Sequence, residues 1–199
     1  MDLKHFGDAY DIVKRSLLQW LEPFGPWAAH PMFTHSVTPD QAAAFGRLLR
    51  VPLASTEVLS LGTDRGSYLA FGTGARSIFL DPDTGIRLHR RERHRWPEFV
   101  FADELVAIAS HRPSGLVLVF DQSVPRGSER RNVETKLEHM GRHGVAGFAY
   151  VSQVCFLVLG VSNELVSEAR ARVIAISDLP ETRLTAGAPS LETALSPGP

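Results

Sequence analysis

Cysteine is almost missing from this 199-residue sequence, which contains only Cys155. A single cysteine cannot form an internal disulfide. It also cannot supply the cysteine pairs of a zinc finger or zinc ribbon, so these folds are excluded. Long apolar runs are missing too. No stretch of about 18 apolar residues occurs, and the charged positions between Met1 and Trp20 leave no apolar signal segment. We therefore expect a reducing, cytoplasmic setting and no membrane partner.

The sequence also has little net charge, because 21 Lys and Arg residues face 22 Asp and Glu residues. A net charge of −1 argues against nonspecific binding through overall charge. The length and the 44% hydrophobic content are typical of one globular domain with a sizeable core. We expect residues 1–184 to form a single α/β domain. Residues 185–199 are rich in Ala, Pro, Ser, Gly and Thr, which predicts a disordered tail.

Helical and strand patterns alternate along the chain. Apolar periodicity and capping signals predict helices over residues 8–21, 38–49, 64–71, 99–110, 129–142 and 163–177. Apolar runs predict strands over residues 27–33, 77–81 and 115–121, and a hairpin over 145–151 and 154–161, whereas 51–61 is ambiguous between strand and loop. This order predicts a three-layer α/β sandwich with a mostly parallel central sheet, closed by an antiparallel hairpin at its edge.

Acidic residues follow two of the predicted buried strands. Asp81 and Asp83 come after the first, and Asp121 and Gln122 end the second. Ligands of open α/β sheets bind beyond the carboxyl ends of the strands, so these are candidate catalytic positions. Their carboxylates can hold a divalent metal, orient a substrate amine or accept from a cofactor hydroxyl. The alternative is that Asp-Pro-Asp-Thr-Gly is only a tight turn.

Basic residues cluster directly after the same two strand ends. The first cluster contains Arg87, Arg90, Arg91, Arg93, Arg95 and Trp96, and the second contains Arg126, Arg130 and Arg131. Arginine binds phosphate through two hydrogen bonds, and tryptophan can stack on a base, so the clusters predict binding of RNA, DNA or a nucleotide. The alternative is a solvated loop and helix face, which short basic runs often form.

The first predicted helix carries a third candidate feature. Asp8, Asp11, Lys14 and Arg15 lie on or beside one face, and taken alone they are ordinary helix-stabilising charges. However, the segment His5-Phe6-Gly7-Asp8-Ala9-Tyr10-Asp11-Ile12-Val13-Lys14 resembles the opening motif of the ribosomal-RNA adenine methyltransferases, His-Ala-Gly-Asn-Phe-Ala-Asp-Val-Leu-Lys. The shared positions are His5, Gly7, Asp11 and Lys14.

A second segment, Phe79-Leu80-Asp81-Pro82, resembles the strand and the start of that family's Asp-Pro-Pro-Tyr motif. The resemblance implies a Rossmann-like methyltransferase fold, Asp81 at the catalytic position that binds the adenine amino group, and S-adenosylmethionine near His5, Asp11, Lys14 and His30. The sequence departs from the family in two places. Residues 29–34 contain no glycine where the family has a Gly-rich cofactor loop, and Asp83 and Thr84 replace the second proline and the aromatic residue.

Three hypotheses follow for the function. The first is a nucleic-acid- or nucleotide-directed enzyme of the methyltransferase-like fold, divergent or with cofactor binding lost. The second is a metal-dependent nuclease or phosphoesterase in which Asp81, Asp83 and Asp121, joined by Asp8 or Asp11, hold Mg²⁺ or Mn²⁺. The third is a nonenzymatic nucleic-acid-binding module.

Four further residues favour a structural role. Cys155 lies within an apolar run and is expected in the core. Ser123 lacks the Gly-x-Ser-x-Gly context of a hydrolase nucleophile. His139 and His143 are four residues apart on a helix, where an exposed face is favoured over a metal site.

Overall fold

A six-stranded sheet organises the chain. The structure, a computed structural model, describes residues 6–70 and 74–187, so His5 and residues 188–199 of the expected tail lie outside the described residues. In chain order the strands are β1 (Trp27–His30), β2 (Ser77–Leu80), β3 (Gly85–Arg87), β4 (Phe99–Phe101), β5 (Val117–Asp121), β6 (Ala146–Val151), β7 (Cys155–Gly160) and β8 (Leu184–Ala186). The short strands β3 and β4 pair with each other in parallel, and the other strands form the main sheet.

The main sheet is mixed, which corrects the expectation of a mostly parallel sheet. Its order is β1-β2-β5-β7-β6-β8, and only the β1–β2 and β2–β5 pairings are parallel. The predicted hairpin forms, but its second strand β7 lies between β5 and β6, and β8 occupies the edge. The burial pattern agrees with this placement, because every residue of β7 is buried whereas three of the six residues of β6 are half-buried. A strand inside a sheet has a hydrogen-bonding neighbour on each side, which satisfies backbone groups that burial removes from water.

Helices form where the sequence signals predict them. They are α1 (Ala9–Trp20), α2 (Pro39–Leu49), α3 (Arg65–Leu69), α4 (Ala102–Ser110), α5 (Glu129–Gly141) and α6 (Asn163–Ser177). The capping box of α2 is complete, since Thr38 Oγ1 accepts from the Gln41 N–H at 3.2 Å and Gln41 Oε1 accepts from the Thr38 N–H at 2.8 Å. The fourth helix begins three residues later than predicted because Phe99–Phe101 forms β4. Within the described residues, none of these helices combines the length and the apolar character needed to cross a bilayer.

The core lies in two apolar clusters on opposite faces of the sheet. Ile78 and Val119 belong to the cluster that includes residues of α4 and α5. Phe79 and Leu118 belong to the other cluster, which includes residues of α1, α2 and α6. Successive strand residues point to opposite faces, so a strand covered on both sides must be apolar throughout. This is why β2 and β5 are continuous apolar runs.

The ends of β2 and β5 position the acidic residues. These two strands are parallel neighbours, and Leu80 is in register with Val119. Asp81, directly after β2, and Asp121, the last residue of β5, therefore emerge at the same edge of the sheet, as the sequence predicts. The β3–β4 pair lies beside this edge, because Thr84 accepts through its carbonyl from the Gln122 N–H at 3.1 Å.

Candidate functional site at the carboxyl edge of the sheet

A buried lysine joins the two segments that carry the family resemblance. Lys14 Nζ lies 3.0 Å from Asp11 Oδ1 and 2.9 Å from Asp81 Oδ2. The Lys14 side chain is 5% exposed and that of Asp81 is 1% exposed. The ammonium also lies 4.5 Å from the centre of the Phe120 ring. Asp11 Oδ2 accepts from the Gly7 N–H at 2.8 Å. The lysine therefore ties α1 to the end of β2, 67 residues further along the chain.

The charges of this Lys14 cluster are coupled. Burial opposes the positive charge of Lys14, but the Asp81 and Asp11 carboxylates outweigh that effect and raise its pKa above the usual value. Burial raises the pKa of Asp81 despite the attraction of Lys14, and the nearby Asp11 carboxylate adds to the increase. One ammonium thus faces two carboxyl groups in a buried region, which favours a charged lysine and hinders ionisation of Asp81.

His30 ends β1 and is buried as a neutral side chain. The Met32 N–H donates to His30 Nδ1 at 3.3 Å, so the ring proton is on Nε2, which lies 3.3 Å from the Tyr68 carbonyl oxygen. Burial lowers the pKa of His30 to about 4, although the hydrogen bonds to the backbone oppose this shift. Met32 and Phe33, which follow it, are fully buried.

The described cofactor candidates do not fit S-adenosylmethionine. Asp11, Lys14 and His30 direct their polar atoms to other groups of the protein. In the resemblance, the loop after the first strand approaches the cofactor closely, and here the corresponding segment contains the buried side chains of Met32 and Phe33. These contacts indicate that the described residues of this region serve the core.

Asp121 forms a second buried pair, with Lys136 of α5. Asp121 Oδ2 accepts from Lys136 Nζ at 2.5 Å, and Oδ1 accepts from the Ser123 hydroxyl at 2.6 Å and from the Ile86 N–H at 3.1 Å. Lys136 Nζ also donates to Ser123 Oγ at 3.1 Å. Gly85 allows β3 to approach Asp121 closely, because it has no side chain. A Cβ added at this position would overlap Asp121 Oδ1. Asp121 therefore anchors β3 to β5.

Lys136 is not among the residues predicted from the sequence, although the sequence contains a signal for it. Val133, Leu137 and Met140 are the buried residues of α5 besides this lysine. Lys136 follows Val133 by three positions and precedes Met140 by four, which places it on the buried face of the helix. A lysine on the apolar face of a helix is buried, and a buried ammonium is unfavourable unless an anion pairs with it. Asp121 is that anion.

The carboxylates proposed as metal ligands are not brought together. Asp81 faces Lys14, which it shares with Asp11, and Asp121 faces Lys136, so the two carboxyl groups are directed to different lysines. Asp83 is half-buried in the turn before β3, where its carbonyl accepts from Gln122 Nε2 at 2.7 Å. Within residues 6–70 and 74–187, no three His, Cys, Asp or Glu side chains are grouped as a metal ion would require. His139 and His143 lie with His89 on an outer face.

A cavity opens beside Lys136 beyond the carboxyl end of β5. Its volume is about 410 Å³, and we call it the β5 cavity. Its polar lining consists of three cations, three hydroxyl residues and one amide, namely Arg87, Arg95, Lys136, Thr84, Ser123, Thr135 and Asn132. Ile86, Leu88 and Phe99 complete the wall. Among the described residues, no Asp or Glu lines this cavity.

Most of the first basic cluster is ion-paired at the surface. Arg87 lies 3.0 Å from Glu92, Arg95 lies 2.7 Å from Glu98, and Arg90 lies 3.0 Å from Asp103 and 2.9 Å from Glu104. These contacts fix the direction of the guanidinium groups. The exposed arginines of this cluster that do not line the cavity are Arg90, Arg91 and Arg93.

Trp96 is half-buried, and its ring has several neighbours. The ring packs edge-on against Phe101, with centroids 5.8 Å apart, and the guanidinium groups of Arg90 and Arg93 lie 5.4 Å and 5.9 Å from its centre. Its Nε1 donates to the Arg91 carbonyl at 3.1 Å. These contacts hold the ring in place within the first basic cluster.

The second basic cluster is spread out. Arg126 and Arg131 are exposed, whereas Arg130 bonds to Thr185 Oγ1 and to the Thr182 carbonyl next to β8. None of the three lines the β5 cavity as the structure describes it.

The structure thus joins the predicted residues in two places. Asp11, Lys14 and Asp81 meet in one buried cluster, and Arg87 and Arg95 face one cavity together with the unpredicted Lys136. Comparison of the chain with protein-family models, with curated proteins and with solved structures finds no match.

Proposed function

We propose that this chain is a nucleotide- or nucleic-acid-directed protein with a divergent methyltransferase-like fold, and that the β5 cavity holds phosphate. The observation that carries the proposal is the lining of this cavity, where Arg87, Arg95 and Lys136 face a space without a carboxylate in the described wall. A wall of cations and hydroxyl groups matches the several oxygen acceptors of a phosphate group.

The position and size of the cavity support the same proposal. It lies beyond the carboxyl end of a parallel strand, which is where open α/β sheets bind their ligands. Its volume of about 410 Å³ lies in the range of small-molecule sites. The counter-ions of its cations, Glu92, Glu98 and Asp121, are not part of the lining, so the wall itself offers cationic and hydroxyl groups to a ligand.

Binding of 5′-phosphorylated single-stranded RNA and DNA, labelled at the 3′ end and followed by fluorescence anisotropy at several salt concentrations, tests the proposal. We expect the affinity to fall as salt rises, because phosphate contacts release counterions. The double variant Arg87→Gln, Arg95→Gln should bind roughly tenfold more weakly. The control variant Arg47→Gln, Arg142→Gln removes two exposed arginines outside the cavity and should leave binding within about twofold. Equal losses in both double variants, or no binding of nucleotide or nucleic acid, would refute the proposal.

A second candidate function, methyl transfer, is favoured by one specific observation. Asp11, Lys14 and Asp81 come from the two segments that resemble the ribosomal-RNA adenine methyltransferases, and they meet within 3.0 Å. A three-layer, Rossmann-like arrangement with Asp81 beside a target amino group is part of this candidate. The internal hydrogen bonds of Lys14 and His30 oppose it, since they leave the described cofactor residues engaged.

Calorimetry with S-adenosylmethionine and S-adenosylhomocysteine separates the two candidates. We expect no binding heat and no change in melting temperature, because the segment after β1 contains buried side chains where the family has a Gly-rich loop. Micromolar binding, or transfer of a labelled methyl group to RNA or DNA that is lost in Asp81→Asn, would instead establish methyl transfer.

A further inference from the structure

We infer that the β5 cavity binds a phosphomonoester, such as a mononucleotide or the phosphorylated end of a nucleic acid, and not the phosphodiesters within a strand. The inference rests on the proposed function, because the proposed function supplies the class of molecule that carries the phosphate, a nucleotide or a nucleic acid. It names the chemical group that the cavity recognises.

The first reason is the hydrogen-bonding capacity of Lys136. An ammonium group has three N–H donors. Two of them are directed to Asp121 Oδ2 and Ser123 Oγ. The described residues supply no further acceptor to this ammonium, and Lys136 lines the cavity, so its third N–H is available to a ligand. Lys14 differs, because Asp11, Asp81 and the Phe120 ring surround its ammonium.

The second reason is the depth at which Lys136 lies. Its side chain is only 6% exposed. A phosphodiester inside a strand carries a substituent on two of its oxygens, so two chain segments would have to enter the cavity to bring it to Lys136. A phosphomonoester carries one substituent, and its three terminal oxygens can meet Lys136, Arg87 and Arg95 together.

The third reason is the arrangement of the arginines on Phe99. The guanidinium groups of Arg87 and Arg95 lie 4.0 Å and 5.4 Å from the centre of this ring. The ring and the acids Glu92 and Glu98 hold the two guanidiniums at the cavity wall before a ligand arrives. The covered ring is not free to stack on a base, so the cavity should recognise phosphate with little preference for the base.

The wall from α5 adds an unmet acceptor. Asn132 lines the cavity, and its Oδ1 is buried without a hydrogen-bond donor among the described residues. A buried acceptor without a donor is unfavourable. A ligand hydroxyl group can provide the donor only when the Asn132 side chain turns toward the cavity.

Paired ligands test the inference. The probes are an RNA oligonucleotide with and without a 5′-phosphate, adenosine 5′-monophosphate with adenosine, and ribose 5-phosphate with ribose, all measured by calorimetry on the full chain. We expect each phosphomonoester to bind at least tenfold more tightly than its unphosphorylated partner. If only the mononucleotide shows this gain, the ligand is a free nucleotide, and if the oligonucleotide shows it too, a strand end is bound.

Substitutions in the cavity wall, compared with a control outside it, locate the binding. Arg87→Gln, Arg95→Gln should abolish the gain from the phosphate, whereas Arg47→Gln, Arg142→Gln should keep it. Lys136→Met leaves Asp121 without its cation and can unfold the chain, so the variant Lys136→Met, Asp121→Asn, which removes both charges, is measured beside it. Loss of the gain in this folded double variant supports the inference, and an unchanged gain in any cavity variant overturns it.

The inference and the proposed function fail in different ways. Equal binding of phosphorylated and unphosphorylated oligonucleotides overturns the inference but leaves a nucleic-acid-directed protein. Binding of ribose 5-phosphate without binding of any nucleotide or oligonucleotide supports the phosphomonoester site and overturns the proposed function. No binding of any probe overturns both.

Discussion

Replacing His30 by glutamine should make the stability of the protein less dependent on pH. His30 is fully buried, and burial lowers its pKa from 6.5 to about 4. Because the unfolded chain then binds more protons than the folded chain between these two values, stability falls as pH falls below about 6.5. A full pKa unit corresponds to about 1.4 kcal/mol. The lowered pKa of His30 therefore reduces the free energy of unfolding by about 3 kcal/mol once the pH is below about 4.

The predicted effect is measurable at milder pH. Between about pH 7.5 and about pH 5, protonation of the unfolded chain at His30 should remove about 2 kcal/mol from the free energy of unfolding. Glutamine does not titrate, and its amide can donate to the Tyr68 carbonyl as Nε2 does. The difference in unfolding free energy between wild type and His30→Gln should therefore shrink by about 2 kcal/mol over this pH interval.

Urea unfolding at the two pH values measures this difference. The matched control is Thr38→Ala, which removes a helix cap without changing a titrating group and should cost about 1 kcal/mol at both pH values. If the difference in unfolding free energy between wild type and His30→Gln is the same at both pH values, burial does not hold His30 neutral. A binding role for this histidine would then be a hypothesis again.

Three further predictions concern the anchors of the fold. Lys14→Met should lower the unfolding free energy by about 3–5 kcal/mol, because it leaves buried carboxylates without a cation, and adding Asp81→Asn should restore part of the loss in urea unfolding. A single-variant cost below about 1 kcal/mol would contradict the role of the ion pair. Gly85→Ala should cost about 2 kcal/mol or more in thermal unfolding, because its φ is +138° and the new Cβ overlaps Asp121; an unchanged melting temperature would refute this contact. Burial raises the pKa of Cys155 to about 12, so a thiol reagent at about pH 8 should modify it only after unfolding, and rapid modification of the folded chain would contradict its buried position.

Local signals predicted the helices, whereas the sheet order depends on distant pairings. Thr38 and Gln41 lie three residues apart, so a short segment of sequence is enough to predict where α2 starts. By contrast, the apolar run of β7 can pair beside β5 or at the edge of the sheet. Its burial on both faces, readable as six residues without a polar side chain, was the signal for the central position. Strands of three residues, such as β3 and β4, are too short to show a period.

The two lysine–aspartate pairs differ in how visible they are in the sequence. Lys14 and Asp81 were marked by a resemblance in two separate segments, and the structure joins them. Asp121 was marked by its position at a strand end, but its partner Lys136 lies in a helix crowded with charged residues. Separating Lys136 from the surface charges of α5 required the position of the apolar residues around the helix axis. The cavity itself depends on how α5 and β3 pack, which no single segment encodes.

The late position of β7 in the chain has a consequence for synthesis on the ribosome. β5 is completed at Asp121, but the strand that covers its free side begins only at Cys155. Until residues 155–160 leave the ribosome, β5 has unpaired backbone groups along one edge and apolar side chains on both faces. Such an edge promotes pairing with other chains. Chains truncated between these two strands should therefore aggregate or require chaperones, whereas chains that extend through α6 can cover the edge themselves.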